Sequence, residues 1–184
     1  MDQLTFLSYN LEWSPKTSYK SVNQFLELVK KENPNVIALQ NIDGSFFEKL
    51  GREMHYFGYK RYFPENFQSR KRSDIMFSNL PIITTKFYEY QKNTDRNGIF
   101  LLEIPNGDKI ITVATTQIDS LPYLQSHQLN NINKMLEKHI DSSEAVILGI
   151  DTKAFEYSQI STNEGWYDAW YEVGNDFEKY TLDS

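Results

Sequence analysis

The spacing of hydrophobic residues in the N-terminal part of the chain predicts a strand, a helix and a second strand. Residues 4–10 are rich in strand-forming side chains, whereas the hydrophobic residues within 22–29 recur at the spacing of one helical face. Ser21 is followed three positions later by Gln24, which predicts a capping box at the start of this helix. Residues 36–39 form a short, continuous hydrophobic run, typical of a buried strand. The order predicts a βαβ-like crossover.

Further along the chain, strand patterns are more frequent than helical ones. Strands are predicted over residues 74–78, 82–90, 99–104, 110–113 and 145–149, and helices over residues 46–54 and 129–140. Asn106-Gly107 lies between two of these strands and predicts a hairpin. Helices flanking mixed, largely antiparallel strands predict an α/β (α+β) sandwich of two sheets.

The composition is that of an ordinary globular domain. The 184 residues are 40% hydrophobic and 24% charged, and 19 Lys+Arg against 25 Asp+Glu give a net charge of −6. We expect one domain over residues 1–184. The chain has no cysteine, which excludes disulfides and thiolate metal sites, and its N-terminus lacks a signal-peptide pattern. An intracellular protein, cytoplasmic or nuclear and without a membrane span, is expected.

Six segments carry motifs in a characteristic order along nearly the whole chain. They are Ser8–Leu11, Asn33–Gln40, Thr115–Ser120, Val146–Thr152, Tyr167–Trp170 and Tyr180–Asp183. Their order resembles the endonuclease/exonuclease/phosphatase superfamily, the metal-dependent phosphodiesterases that include DNase I-like enzymes. Its motifs include P-D-V-I-x-L-Q-E, T-S-H-L-E-S and V-I-L-x-G-D-T-N. The Asp-Thr pair and the last two segments are most similar to the 5′-tyrosyl-DNA phosphodiesterase branch.

The resemblance also indicates where the catalytic set has changed. Asn10 and Asp151 match the family's core residues, but Asn41 stands where the family has its chief Mg²⁺ ligand, a glutamate. Gln117 replaces the family's histidine, and Lys153 replaces the asparagine after Asp-Thr. We also expect the fold to be shortened at its C-terminal end, because the family's terminal Asp-His motif has no counterpart. These changes predict a pseudoenzyme in which no residue is assigned a catalytic role and no cofactor is bound, with Mg²⁺ only if the domain is active.

Two compensating arrangements remain open. If the strand that contains Asn41 continues, Asp43 lies on the same face and offers a displaced metal ligand together with Asp151. The favoured alternative is a turn over residues 42–45, with Asp43 capping the next helix. The Lys153 ammonium either replaces the charge of the metal and binds phosphate or is an ordinary surface lysine.

A second candidate region combines basic and aromatic residues. Residues 56–63 interleave them, and a basic run follows at residues 70–72. The candidate ligand-binding residues are Lys60, Arg61, Arg70, Lys71 and Arg72. Such a pattern is typical of single-stranded nucleic-acid contact, although a packed sheet with a solvated outer face produces the same alternation.

The sequence therefore favours a phosphodiesterase-like domain that binds a protein partner or a phosphodiester ligand. A homodimer or protein partner is expected, and nucleic acid is a candidate ligand. The alternative is an active Mg²⁺-dependent phosphodiesterase or nuclease of the tyrosyl-DNA phosphodiesterase type. The three histidines, His55, His127 and His139, lie outside the family motifs. His139 is expected in the last turn of a helix, where a cation suits the helix dipole.

Overall fold

The computed structural model describes residues 3–11, 19–65, 72–90, 98–152 and 165–174. The chain divides into two compact units, Met1–Lys153 and Ala154–Ser184. The elements of the first unit are β1 (Phe6–Asn10), α1 (Tyr19–Glu32), β2 (Val36–Asp43), α2 (Gly44–Tyr56), β3 (Lys60–Tyr62), β4 (Arg72–Ser78), β5 (Thr84–Glu89), β6 (Gly98–Asn106), β7 (Lys109–Gln117), α3 (Pro122–Ile140) and β8 (Ala145–Asp151).

The strands of the first unit form two four-stranded sheets. The first has the order β1-β2-β4-β3, and the second has the order β5-β6-β7-β8. Each sheet contains one parallel pair, β1 with β2 and β7 with β8, and the other pairings are antiparallel. Helices α1 and α3 make the two crossovers that a parallel pair requires. The predicted βαβ-like crossover at the N-terminus is confirmed.

Alternation along the strands divides the buried residues into an inner and an outer core. Ala38, Phe100 and Val113 belong to the core between the two sheets. Neighbouring positions such as Ile37 and Leu39 face α1 and α2 instead, where they pack with residues such as Phe25 and Leu50 of these helices. Helix α3 covers the opposite face of the second sheet, where its His139 contacts Glu103 of β6. The predicted two-sheet sandwich flanked by helices is confirmed.

The hairpin prediction is also confirmed. Asn106 and Lys109 are register partners at the ends of β6 and β7, and Gly107 in the connecting turn has a φ of 61°. Glycine adopts this left-handed conformation without the steric penalty of a side chain, which is why the Asn-Gly pair identifies the turn.

Two local predictions are wrong. Helix α1 begins at Tyr19, so Ser21 and Gln24 lie inside the helix and do not form a box at its first residue. The turn predicted over residues 42–45 is absent, because β2 continues to Asp43 and α2 begins at Gly44. The short strand β3 was not predicted, since its three residues, Lys60–Tyr62, are too few to establish a period.

The second unit is described over residues 165–174 and contains α4 (Ala169–Val173). The carboxylate of Asp168 accepts a hydrogen bond from the backbone N–H of Tyr171 at 3.3 Å, which caps this short helix. None of the helices among the described residues is long and apolar enough to span a membrane. The single-domain expectation over residues 1–184 stays a prediction.

Candidate functional site

The ends of three strands, together with a bulge near the end of a fourth, bring the predicted catalytic positions together. Asn10 ends β1 and is the register partner of Gln40, next to Asn41 on β2. Gln117 and Asp151 are register partners at the ends of β7 and β8. The two sheets face each other, and β1 lies against β8. We call Asn10, Asn41, Gln117 and Asp151 the strand-end site.

Asp151 is the hydrogen-bond acceptor at the centre of the strand-end site. Its Oδ2 accepts a hydrogen bond from Asn10 Nδ2 at 2.6 Å and another from Gln117 Nε2 at 2.8 Å. The two amides come from opposite sheets, since Asn10 ends β1 and Gln117 ends β7. Hydrogen bonds from two side-chain amides therefore direct one carboxylate oxygen toward the protein itself.

A glycine allows β1 and β8 to approach at this point. A Cβ atom on Gly149 would lie 2.5 Å from Ser8 Oγ and 2.9 Å from Phe6 Cζ, both on β1. Real Cβ atoms do not make such contacts, so β8 can lie this close to β1 only with glycine at position 149. This close approach supports the 2.6 Å contact between Asn10 and Asp151.

Gln40 ties the two sheets together beneath the strand-end site. Its side chain is 1% exposed, and Nε2 donates to Ser8 Oγ at 3.0 Å and to Thr115 Oγ1 at 2.8 Å. Ser8 lies on β1 of the first sheet, and Thr115 lies on β7 of the second. The buried amide is thus satisfied from both sides, which fixes the separation of the sheets at this level.

Asn41 has an unusual backbone conformation at the position of the family's glutamate. Its φ is 65°, and the β2–β4 register shifts between Leu39 and Ile42, so the residue sits in a bulge. The side chain is buried, with 6% exposed, and the backbone N–H donates to Asp74 Oδ1 at 3.3 Å. Asparagine is one of the few residues other than glycine that commonly adopt this conformation.

Asp74 also influences a buried tyrosine behind the site. The Tyr90 hydroxyl and Thr116 Oγ1 are 2.5 Å apart, and Thr116 Oγ1 also donates to the carbonyl of Gly98. Burial raises the pKa of Tyr90 well above its usual value; the Thr116 hydrogen bond lowers this pKa, and the Asp74 carboxylate raises it further. Sequence reasoning missed Asp74 and Tyr90, because neither belongs to a motif or a periodic polar pattern.

The strand-end site does not fit a magnesium ion well. Mg²⁺ prefers carboxylate oxygens and water, but three of the four side chains are neutral amides. Within the described residues, no cluster of three or more His, Cys, Asp or Glu residues could hold a metal ion. The side chain of Asp43 and the whole of Lys153 lie outside the described residues, so both compensating arrangements stay predictions.

Of the predicted basic residues, Lys60 and Arg61 have described side chains, and Arg72 is described by its backbone alone. Lys60 of β3 is the register partner of Ser78, whereas Arg72 pairs with Asp43 at the other end of β4. These two positions on β4 are about 20 Å apart at the rise of a strand. Arg70 and Lys71, like the side chain of Arg72, lie outside the described residues. The predicted basic site is therefore represented by Lys60 and Arg61.

Lys60 and Arg61 line an open groove of about 800 Å³ between α2 and β3. Glu48, Gly51, Arg52, His55 and Tyr56 come from one face of α2, and residues 59–63 form the other wall. We call this the α2–β3 groove.

Arg61 is held in a defined position at the base of the α2–β3 groove. Its guanidinium lies 4.0 Å from the centre of the Phe47 ring and donates to the carbonyl of Phe47 at 3.3 Å. It also forms an ion pair of 3.4 Å with Glu48. A Cβ on Gly51 would lie 2.5 Å from Arg61 Nη1, so the glycine in the middle of α2 makes room for the arginine.

The histidines lie in three different environments. His55 lines the α2–β3 groove, His127 is exposed on α3, and His139 is buried with 4% exposed. His139 Nδ1 is 3.4 Å from Glu103 Oε1, to which Lys86 also pairs. Burial lowers the pKa of His139, and the neighbouring Lys86 lowers it further. His139 lies in the last turn of α3 as predicted, but its ring is buried, and this burial disfavours the charged form that would suit the helix dipole.

Comparison with known proteins identifies the fold through structure and not through sequence. No protein-family model matches the chain, and no curated protein matches it in sequence. Three solved structures superimpose well. They are TDP2 from Caenorhabditis elegans (TM-score 0.74, 17% identity), D. rerio TDP2 complexed with a single-strand DNA product (0.73, 12%) and ANGEL2, a 2′,3′-cyclic phosphatase (0.66, 14%).

Each match covers most of this chain but a smaller part of the solved structure. The matches cover 93%, 93% and 84% of this chain, but 53%, 70% and 55% of the respective structures. This chain thus spans about half the length of the C. elegans TDP2 chain. At these identities the likeness establishes the fold. The resemblance read from the sequence motifs is confirmed at that level, and this chain has the two-sheet fold of the endonuclease/exonuclease/phosphatase (DNase I-like) superfamily.

Proposed function

We propose that this chain is a phosphodiesterase-like domain that has lost metal-dependent hydrolysis and acts by binding a phosphodiester ligand or a protein partner. The observation that carries the proposal is the hydrogen bonding of Asp151. One oxygen of this carboxylate accepts from the amides of Asn10 and Gln117 at 2.6 and 2.8 Å. These bonds occupy both lone pairs of Oδ2, so a cation would have to bind Asp151 through Oδ1 or displace an amide.

The charge of the strand-end site supports the same proposal. Phosphodiester hydrolysis requires an activated water and neutralisation of charge on the phosphoryl oxygens, usually by a divalent ion. Asn41 is neutral where the resemblance implies a glutamate, and its buried backbone N–H is already satisfied by Asp74. Of the four strand-end residues, Asp151 alone carries a carboxylate, and one such ligand attracts Mg²⁺ weakly, because the ion dehydrates reluctantly without strong anionic ligands.

Gln117 retains one property of the family's histidine and loses another. Its amide donates a hydrogen bond, here to Asp151, so it can orient a neighbouring group. An amide cannot take up a proton near neutral pH, however, and so cannot carry the positive charge that an imidazolium offers to a phosphoryl group. Gln117 can therefore help to bind a ligand, but it cannot supply the positive charge that a histidine supplies in catalysis.

The competing proposal is an active Mg²⁺-dependent phosphodiesterase. Two observations favour it. Asn10 and Asp151 meet as the resemblance implies, and the structures with the same fold include a 2′,3′-cyclic phosphatase and a TDP2 bound to a DNA product. In this proposal Asp43 supplies a displaced metal ligand.

Cleavage assays separate the two proposals. The substrates are a 5′-phosphotyrosyl oligonucleotide and adenosine 2′,3′-cyclic phosphate, each with Mg²⁺ or Mn²⁺. An Asp151→Asn variant serves as the control for contaminating nucleases. We expect wild type and Asp151→Asn to give the same background. Metal-dependent turnover by wild type that Asp151→Asn abolishes would establish the enzyme and refute the binding proposal.

Two further parts of the proposal concern the setting of the domain. We propose an intracellular protein that forms a homodimer or binds a protein partner. The support is structural: β3 and β5 are edge strands of their sheets, and edge strands present unpaired backbone groups that associate readily. Light scattering across a concentration series tests the dimer; a constant monomer mass at every concentration contradicts it.

A further inference from the structure

We propose that the α2–β3 groove binds single-stranded nucleic acid, with Arg52 and Lys60 contacting phosphates and Tyr56 stacking on a base. The inference gives the binding role proposed above a ligand and a location. The inference rests on the proposed function in one respect, which is that the chain acts as a binding domain. It does not depend on the strand-end site, because the groove would hold the same ligand whether or not that site is active.

The first argument is local charge. The chain carries a net charge of −6, yet Arg52, Lys60 and Arg61 line one groove whose acidic member is Glu48. Glu48 pairs with Arg61. Among the described residues, no carboxylate lies within ion-pair distance of Arg52 or Lys60, and both side chains are exposed. A concentration of positive charge on an acidic protein selects an anionic ligand.

The second argument is the exposure of an aromatic ring. Tyr56, at the end of α2, is 82% exposed and lines the groove. Phe63, on the opposite wall, is 38% exposed, and its ring meets Phe47 edge-on with centroids 4.9 Å apart. A large exposed ring beside free cations is what a base-stacking site for single strands requires, because every base offers a face to the ring.

The third argument is that the base of the groove is already organised. Arg61 is fixed by Phe47, by Glu48 and by the space above Gly51. Glycine within a helix costs about 1 kcal/mol relative to alanine, so its presence in α2 needs a local reason, and here that reason is the passage of Arg61. A preorganised base leaves Arg52 and Lys60 as the cations that remain available to a ligand.

The groove is separate from the strand-end site. It runs between α2 and the edge strand β3, whereas the strand-end site lies where the two sheets meet. Lys60 is opposite Ser78, and Ile42, the residue after Asn41 on β2, is opposite Ser73. These two positions on β4 are about 17 Å apart at the rise of a strand. The exposed face of α2 over residues 48–56 spans about 12 Å, enough for a short stretch of single strand.

Two features favour nucleic acid over an acidic protein. Cations alone would suit either ligand, but an exposed tyrosine next to two cations that have no ion-pair partner among the described residues matches the alternation of base and phosphate in a single strand. The walls also mix rings and charges, whereas protein interfaces deplete charged residues at their centre.

Fluorescence anisotropy tests the proposal on the full chain. The probe is a labelled oligodeoxythymidylate of about 12 nucleotides, within the usual span of single-strand sites. The variants are Arg52→Gln/Lys60→Gln, Tyr56→Ala and Tyr56→Phe. The matched control is Lys134→Gln/Lys138→Gln, which removes two positive charges from exposed positions on α3. All of these side chains are exposed, so each variant should fold, and circular dichroism confirms that it does.

The expected results distinguish each contact. Arg52→Gln/Lys60→Gln lowers the affinity at least tenfold and reduces the slope of log K against log salt by about 1.4, as expected for two phosphate contacts on a single strand. Tyr56→Ala weakens binding roughly five- to a hundredfold, whereas Tyr56→Phe binds like wild type because it keeps the ring. The control pair changes the affinity less than threefold.

Three outcomes would overturn the inference. The first is that wild type does not bind the oligonucleotide, and the second is that Lys134→Gln/Lys138→Gln loses as much affinity as Arg52→Gln/Lys60→Gln. The third is that polyglutamate binds as tightly as the oligonucleotide and Tyr56→Ala has no effect, which would assign the groove to an acidic protein. Cleavage of the probe is measured in the same samples. Cleavage that Asp151→Asn abolishes refutes the proposed loss of hydrolysis and leaves the groove result standing, so the two failures are distinguishable.

Discussion

Replacing Asn41 by glutamate restores the residue that the resemblance implies, and we expect the protein to become less stable without metal. Asn41 has a φ of 65° and is 6% exposed, and its backbone N–H donates to the carboxylate of Asp74. A new carboxylate here is therefore buried, faces a like charge and occupies a conformation that glutamate adopts poorly.

The cost can be built from two contributions. The left-handed conformation costs an ordinary L-residue about 1 kcal/mol more than it costs asparagine, whose short polar side chain tolerates it. Repulsion between two carboxylates about 6 Å apart is about 3 kcal/mol at an effective dielectric constant of about 20. Relaxation of the longer side chain toward solvent reduces this repulsion. We expect Asn41→Glu to lower the free energy of unfolding by about 2 to 4 kcal/mol.

Urea unfolding at neutral pH, with and without Mg²⁺, measures this effect. Asn41→Gln is the matched control, because it has the same length and backbone penalty without the charge, and it should lose about 1 kcal/mol. Protonation of the new carboxylate removes the repulsion, so the gap between the Glu and Gln variants should narrow as the pH falls toward 4. If Mg²⁺ binds the restored carboxylate, a concentration of about one hundred times Kd recovers about 2.7 kcal/mol.

Equal stability of Asn41→Glu and Asn41→Gln without metal would refute the reasoning, since no charge penalty would exist. Stabilisation of wild type by Mg²⁺ that Asp151→Asn removes would show that the present site already holds the ion. Groups that act as one catalytic unit are strongly non-additive, so the triple variant Asn41→Glu/Gln117→His/Lys153→Asn should regain metal binding before turnover. Strong activity from Asn41→Glu alone would show that the other losses matter less than we propose.

Three further changes test other parts of the structure. Gln40→Leu should cost about 1 to 3 kcal/mol in urea unfolding, because the buried Thr115 hydroxyl and the more exposed Ser8 hydroxyl both lose their amide donor; an unchanged midpoint would contradict this. Gly51→Ala should change stability by less than about 1 kcal/mol, since the gain in helix propensity offsets displacement of Arg61, and a loss of several kcal/mol would mean that the arginine cannot move. Because the pKa of His139 is lowered in the folded protein, the unfolded chain takes up the proton at a higher pH. The free energy of unfolding of wild type should therefore fall relative to that of His139→Gln as the pH falls below about 6.5. Parallel curves of unfolding free energy against pH for the two proteins would count against the shift.

Much of the fold was predictable because its elements have strong local signals. The helical face within α1, the Asn-Gly turn between β6 and β7 and the hydrophobic run of β8 each specify their own structure. The ends of elements were less predictable. The start of α1 and the continuation of β2 to Asp43 depend on pairing with other parts of the chain, which local propensity does not contain.

The strand-end site was predictable in position but not in geometry. The motifs identified Asn10, Gln117 and Asp151, and the ends of parallel strands brought them together. Nothing in the sequence indicated that both amides would bind the same carboxylate oxygen. Nor did it indicate Asp74, which reaches Asn41 only because the β2–β4 register shifts between them.

The hydrogen bonding of the strand-end site suggests why several replacements occur together. Carboxylates that converge on a metal repel one another when the metal is absent, so such a site lowers the stability of the free protein. In this chain the amides of Asn10 and Gln117 satisfy Asp151, and the backbone at Asn41 satisfies Asp74. These hydrogen bonds lower the cost of leaving the carboxylates without a bound cation. Consider a site in which one metal ligand has become neutral. The fold is then more stable if the remaining groups hydrogen-bond to one another than if the site stays empty and partly charged. Each further amide then becomes favourable for stability, and the restored glutamate becomes unfavourable unless the others are restored as well.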